Sequence, residues 1–406
     1  MSPDNQPPPR KRILFVAEAV TLAHLARPLV LAQTLDSEIY EVHFACDPRV
    51  NHFLPDNFIK HPLHSMEPER FLESLAAGRC LYDFTTLKNY VVEELVLIEE
   101  IQPHLVIGDM RLSLAISCQH LKIPYACITN AHWSPFAKGE FPMPALPFVP
   151  LLGLALSNLL FRLGRPIAFC TQAQPFNKLR RYFNQPTVAD IRYCYTLADF
   201  TLYADIPGLV PLNKPPSNHH YLGFINWSPP IAEPPWWHEV PGERPNVYLT
   251  LGTSGDIKCM NEIIKGLQNL PLNLLVASAG RINSENIKGE YIFIADYLPG
   301  LAAAQRSSLV VCNGGSGTVY QALATGVPVL GVPANMDQYL TMRYVEAAGA
   351  GLSNRTEYLK AKEIQYKVEQ LMVNSQYQQC AIELQKESVN YEPTLRFQRF
   401  LADQGL

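Results

Sequence analysis

Short apolar runs alternate with longer stretches of helical spacing along most of this chain. Ile13–Ala17 (ILFVA) reads as a buried strand, the spacing from about His24 to Leu35 as a helix, and Tyr40–Ala45 (YEVHFA) as a second strand. A helical pattern over Phe84–Ile101 is broken by Pro103. The strand His104–Gly108, the helix Leu112–Leu121 and the strand Tyr125–Thr129 follow. From about 130 to 200 the pattern is mostly helical, and Asp199–Ala204 (DFTLYA) reads as a late strand of the same unit. Gly223–Pro245, dense in proline and tryptophan and without a period, reads as a linker. The logic then repeats, with strands at Asn246–Leu251, Asn273–Ala277, Tyr291–Ile294, Leu309–Asn313 and Pro328–Val332 and helices between and after them. Strand–helix alternation predicts parallel sheets covered on both faces. The expected fold class is α/β, with two facing Rossmann-like, doubly wound domains. They span 1–222 and 246–406, joined by a linker at 223–245, and the last helices are free to pack back on the first domain. Such sheets bind ligands beyond the carboxyl ends of their strands, so the cleft between the domains is the expected site.

Composition narrows this picture in three ways. At 406 residues, 48% hydrophobic and 17% charged, the chain is long enough for two cores and too apolar for disorder. A net charge of −4 without a long basic run gives no reason to expect nucleic acid as a partner. The nine cysteines are scattered singly with no CxxC, which argues against a disulfide framework or a structural zinc and suits a reducing cytoplasm. The polar, proline-rich start MSPDNQPPPRKR leads directly into a strand, unlike a signal peptide. Ala145–Phe161 (ALPFVPLLGLALSNLLF) is the most membrane-like stretch. It is short and interrupted by proline and asparagine, so it reads as a buried or interfacial segment, and peripheral membrane contact stays open.

The sharpest chemical feature is Val311-Cys312-Asn313-Gly314-Gly315-Ser316-Gly317-Thr318. An apolar strand ends, glycines permit close backbone approach, and a helix begins. Free N–H groups at a helix start attract phosphate, and the Ser316 and Thr318 hydroxyls add donors. Without further context the same turn could connect strand to helix with no ligand. A further strand, VPVLGVP, follows, and Asp337-Gln338 lies just beyond it. Asp accepts hydroxyls and Gln offers both donor and acceptor, a pairing suited to a sugar on a diphosphate.

This run closely resembles the donor-binding signature of the family 1 glycosyltransferases, the UDP-glycosyltransferase-like members of the GT-B superfamily. The resemblance covers the layout of nearly the whole chain and is motif-strong over about 296–338. It implies that Asn313, Gly314, Gly315, Ser316, Gly317 and Thr318 meet the donor diphosphate, Asn313 standing where the family has His. Gly252-Thr253-Ser254-Gly255 resembles the family's second phosphate-facing loop, adding Thr253 and Ser254. Asp296-Tyr297-Leu298-Pro299 resembles the nucleobase segment, with Tyr297 stacking on the base and Leu298 at its edge. Asp337 and Gln338 would hold the donor sugar. The family's catalytic base is a His after the first strand, oriented by an Asp; here these would be His24 and Asp109. His24 sits in Ala-His-x-x-x-Pro, one residue longer than the family's Gly-His-x-x-Pro, which leaves Glu18 and Thr21 as alternatives.

The implied chemistry is a single inverting displacement at the anomeric carbon. The leaving charge is met by backbone amides, with no metal and no cofactor beyond a UDP- or dTDP-sugar co-substrate. The chain has no DxD motif. In the family the counterpart of Asn130–Phe161 lines the acceptor pocket. Trp133, Phe136, Phe141, Met143 and Phe148 would therefore form a greasy wall for a lipophilic hydroxylated partner of terpenoid, carotenoid, sterol or polyketide type. Two other readings compete: a UDP-sugar 2-epimerase of the same fold, and a catalytically silent sugar-nucleotide binder.

Overall fold

The computed structural model describes residues 9–146, 148–252, 257–280 and 289–406. Two wholly parallel sheets face each other. The first contains β1 (Lys11–Ala17), β2 (Tyr40–Cys46), β3 (Ile59–Pro62), β4 (Leu105–Asp109), β5 (Tyr125–Thr129), β6 (Phe200–Tyr203) and β7 (His219–Tyr221), in the order β3-β2-β1-β4-β5-β6-β7. The second contains β8 (Asn246–Thr250), β9 (Asn273–Ala277), β10 (Ile292–Ala295), β11 (Leu309–Cys312), β12 (Val329–Gly331) and β13 (Gly351–Ser353), in the order β10-β9-β8-β11-β12-β13. Both orders reverse direction beside the first strand, at β1/β4 and β8/β11. That reversal opens the crevice in which doubly wound sheets hold ligands.

The central strands are apolar on both faces because helices cover both faces. All of β4 and β5 is buried. One side of the first sheet packs Leu14, Val16 and Val106 against Tyr90, Val91 and Ile98 of the helix Phe84–Ile101. The other side packs Ile13, Phe15 and Ile107 against Leu25 and Leu29. Phe397, Phe400 and Leu401 of the last helix, Pro393–Asp403, join this second cluster, so the chain's end seals the first sheet. The Arg396 guanidinium donates to the Tyr221 carbonyl at 2.7 Å and pins that return.

Register brings the strand ends together. Ala17 pairs with Asp109 across β1/β4, and Cys312 with Thr250 across β8/β11. The helix Leu22–Ala32 starts just beyond β1 and contains Pro28. Pro28 has no N–H for the carbonyl of His24, one turn earlier, which loosens the helix at the residue facing the cleft.

Strands β3, β7 and β13 went unread in the sequence. Three or four half-buried residues at or near a sheet edge are too few to show a period. The helix Pro68–Ala76 was also missed, and it matters for the site below. The segment 223–245 contains one 3-10 turn, Pro235–His238, anchored by the Trp236 indole donating to the Ile294 carbonyl at 3.0 Å.

Candidate active site

The cleft between the sheets holds a cavity of about 400 Å³. On its first-sheet wall, His24 Nδ1 lies 2.8 Å from Asp109 Oδ1, with Asp109 fully buried and His24 19% exposed. Asp109 ends β4, and the helix after β1 presents His24 to it. Arg27, one turn beyond His24, grips the same carboxylate with both arms of its fork. Its Nε donates to Oδ2 at 2.6 Å and its Nη2 to Oδ1 at 2.7 Å. Burial alone would lower the Arg27 pKa, but Asp109 raises it overall.

Nη2 also lies 2.9 Å from His24 Nδ1. Nδ1 cannot accept from Arg27 and donate to Asp109 at once. Asp109 Oδ1 already satisfies Nη2, so the consistent tautomer carries its proton on Nδ1 and leaves Nε2 as the basic lone pair. Glu18 does not line the cavity. It is wholly buried, held by Arg111 (2.9 Å) and the Tyr90 hydroxyl (2.9 Å). Thr21 lines the cleft at the helix start.

The opposite wall is built largely from backbone. Strand β11 ends at Cys312. Asn313 then folds back, donating through Nδ2 to the Leu251 carbonyl at 2.9 Å and accepting from the Gly315 amide at 3.0 Å. Asn313 thus ties the two strand-end loops of the second sheet together. The helix Ser316–Ala324 starts at Gly315 without a side-chain cap, and Gly315, Ser316, Gly317 and Thr318 line the cavity. Gly314 does not line it. Its φ is +79°, and a Cβ there would lie 2.7 Å from Met342 Cγ. Tyr297, 52% exposed, and buried Leu298 line the same cavity. Thr253 and Ser254 lie outside the described residues.

Asp337 and Gln338 begin the helix Met336–Ala347, capped by the Asn335 side chain, and all three residues line the cleft. Asp337 Oδ1 receives His132 Nε2 at 2.9 Å and the Trp133 indole at 2.8 Å, both from the opposite half. Burial opposes its ionisation, but the His132 bond and charge, the Trp133 bond and the charge of His24 lower its pKa to about 2. Gln338 Oε1 accepts from the Ala334 amide at 2.9 Å, so its NH₂ is the end left to meet a ligand.

A second polar seam joins the halves beneath the cavity. Asn130, just past β5, accepts from Arg27 at 2.7 Å and donates to the Tyr320 hydroxyl at 3.4 Å. Tyr320 in turn donates to the buried Asp205, just past β6. Arg27, Asn130, His132 and Asp205 were missed in the sequence. For Asn130 and Asp205 the one legible signal is position, since like Asp109 each stands at or just past the end of an apolar strand; Arg27 and His132 carry none.

The aromatic wall is largely elsewhere than expected. Of the five residues expected to form it, only Trp133 lines the cavity. Phe136 packs edge-on against His219, and Phe141 against Phe169. Met143 is buried in the protein, and Phe148 is 40% exposed outside the cavity. The apolar lining comes instead from Phe71, Leu72 and Leu75 on the unread helix Pro68–Ala76, with Leu81, Leu112 and Tyr195. Phe141 still contributes indirectly, backing the Trp133 ring at a centroid distance of 6.1 Å.

Comparison with known proteins agrees with this fold. Residues 275–395 match the family described as the erythromycin biosynthesis protein CIII-like C-terminal domain. The chain is 46% identical over 385 residues to a PGL/p-HBAD biosynthesis glycosyltransferase of Mycobacterium tuberculosis, covering 94% of this chain and 90% of that protein. It is 48% identical over 377 residues to a PGL/p-HBAD biosynthesis rhamnosyltransferase of Mycobacterium bovis, covering 92% and 84%. Among solved structures, the spinosyn rhamnosyltransferase SpnG complexed with thymidine diphosphate superposes with a TM-score of 0.69 at 16% identity, over 96% of this chain and 100% of that one. At that identity the likeness speaks for the fold alone.

Proposed function

The chain belongs to the glycosyltransferases of GT-B fold, family 1 type, and from that premise we propose that it moves a hexose or deoxyhexose from a dTDP- or UDP-sugar to a lipophilic hydroxyl, with inversion and without a metal. The carrying observation is the His24–Asp109 hydrogen bond set across one cleft from the uncapped start of the helix Ser316–Ala324. In this reading His24 Nε2 takes the acceptor proton, while Asp109 keeps the proton on Nδ1 and stabilises the imidazolium. The departing diphosphate gains its charge against the 315–318 backbone and the helix dipole. Asp337 Oδ2 and the Gln338 NH₂ are assigned to the sugar hydroxyls, and Tyr297 to the nucleobase face. Phe71, Leu72, Leu75, Leu81 and Trp133 are assigned to the apolar body of the acceptor. The names of the relatives turn the proposed acceptor from a free terpenoid, carotenoid or sterol towards a phenol carried on a lipid, and one of them supports rhamnose as donor sugar.

The test is incubation with dTDP-rhamnose and UDP-glucose against a panel of phenolic and aliphatic lipophilic alcohols. Expected is nucleotide release that requires acceptor, an inverted glycoside by NMR, and unchanged turnover in EDTA. Donor epimerisation without acceptor, or donor binding with no turnover on any member of the panel, would overturn the reading.

A further inference from the structure

The helix Leu154–Gln172 is inverted in its amphipathicity. Of its 19 residues only Ser157 and Phe169 are buried. Its outward stripe is apolar: Leu156 (45% exposed), Leu159 (55%), Leu160 (48%), Leu163 (69%) and Ile167 (73%) recur every three or four residues along one face. Leu151, 85% exposed on the preceding short helix Val149–Leu152, extends it. Soluble surfaces rarely gather large apolar side chains in this way unless something covers them.

We infer that this ridge inserts into an anionic lipid membrane. Three observations choose that occupant. First, residues 141–189 contain no Asp or Glu, while Arg162, Lys178 and Arg181 within them are exposed and Arg165 is half-buried; Arg180 is buried and takes no part. Arg162 stands beside the stripe with its side chain 73% exposed, and among the described residues its one ion pair is with Glu140, at a loose 3.8 Å. An apolar face flanked by exposed cations in a stretch without acidic residues suits anionic headgroups. Second, the helix is exposed along both flanks as well as its crest, at Leu154, Ala155, Asn158 and Gly164. A convex ridge with few hydrogen-bonding groups fits a fluid acyl layer better than a shaped protein groove. Third, the ridge is continuous with the acceptor side of the cleft. Phe169, on its inner face, packs against Trp133 at 6.4 Å between ring centroids, and Trp133 lines the cavity. A lipid-borne acceptor leaving the membrane at this helix is one side chain from the cleft. No described helix is long and apolar enough to cross a membrane.

The route of the acceptor rests on the transfer reading above, but the docking itself does not. Flotation of the full chain with phosphatidylglycerol/phosphatidylcholine vesicles, and with phosphatidylcholine alone, tests it. The wild type should float with the anionic vesicles. Leu159→Gln with Leu163→Gln should weaken that binding by about tenfold or more, and Arg162→Gln should lower the preference for anionic over neutral lipid. The inference is overturned if the wild type stays unbound or if the double variant floats undiminished. It is overturned equally if the wild type is a dimer in solution that Leu163→Gln makes monomeric, since a second copy then covers the ridge. Nucleotide release with a water-soluble acceptor, measured on the same samples, should be unchanged by the double variant, which excludes misfolding. Absence of release in the wild type, with flotation intact, would fault the transfer reading and leave the docking standing.

Discussion

The two walls of the cleft are made of different materials. The first-sheet wall works through side chains: His24, Asp109, Arg27 and Asn130 form one hydrogen-bonded group around a buried carboxylate. The second-sheet wall works chiefly through backbone: a glycine-rich turn, an uncapped helix start and strand-end loops tied by Asn313. Histidine follows the same division. All eleven histidines fall at or before His238, and residues 246–406 contain none. The side chains whose ordinary pKa lies near neutral are thus confined to one half, and the other offers amides whose charge does not titrate. A buried side-chain cluster fails when one member is lost, whereas a backbone wall fails when something obstructs it.

The largest expected effect is on the side-chain wall. His24→Ala should reduce transfer by about 10²–10⁴, the range of a lost general base, with donor affinity unchanged within about twofold. Stopped transfer kinetics beside nucleotide-sugar titration calorimetry separate the two quantities, and a variant that keeps its rate would remove His24 from the chemistry. Arg27→Met comes next and acts on stability. It leaves the buried Asp109 carboxylate without its guanidinium and with the His24 Nδ1–H as its remaining side-chain hydrogen bond among the described residues, at a cost of about 3–5 kcal/mol. Urea unfolding should recover much of that in the double variant Arg27→Met, Asp109→Asn, because the orphaned charge is gone. If the double variant is no more stable than Arg27→Met, the carboxylate is not what Arg27 serves.

On the backbone wall, two neighbouring glycines should respond oppositely. Gly314→Ala forces a φ of +79° on a residue with a Cβ and drives that Cβ to 2.7 Å from Met342 Cγ. The expected loss is about 1–3 kcal/mol of stability. At Gly317 a Cβ meets nothing within 4 Å, in the first turn of a helix. Gly317→Ala should leave stability equal or higher by about 0.5–1 kcal/mol. It should nonetheless weaken donor binding by about tenfold, because the added methyl stands where phosphate approaches. Donor affinity unaffected by Gly317→Ala would mean the diphosphate lies elsewhere.

Legibility follows the same division of materials. The backbone wall was readable because local geometry makes it: a strand end, glycines and a helix start are contiguous in the sequence. The alternating pattern likewise revealed both sheets, since buried parallel strands are continuous apolar runs. On the side-chain wall Asp109 was legible as the end of an apolar strand and His24 only through its likeness to the family's motif after the first strand, whereas Arg27 looked like an ordinary helical arginine until Asp109, 82 positions away, was brought against it. Asn130 and Asp205 gained their meaning only when β5, β6 and the helix carrying Tyr320 met. The expected apolar wall lies mostly behind the cavity for a related reason. Phe136, Phe141 and Met143 are as apolar as Phe71 and Leu75, and hydrophobicity does not say which greasy residues face a cavity and which fill the wall behind it.

The smallest effect expected is a graded one, on acid stability, and it too should fall in the first half. Burial, and secondarily the charge of His220, lowers the His219 pKa to about 4, and burial likewise lowers those of His220 and His61. His219 lies 2.6 Å from the Tyr203 hydroxyl on β6. A histidine whose folded pKa lies below its unfolded value of about 6.5 is protonated more readily when unfolded, so unfolding takes up protons between those values. Its contribution to stability is complete above about pH 6.5 and is lost as pH falls towards 4. Hydrogen exchange at pH 7 and pH 5 should show protection falling around β6 and β7 before it falls around β8 and β11, where no histidine titrates. His219→Gln keeps a polar side chain at the site without the titration, so the slope of stability against pH over that window should flatten. A slope unchanged in the variant, or protection lost first around β8 and β11, would place the acid-labile element in the half built from backbone and undo the contrast between the two walls.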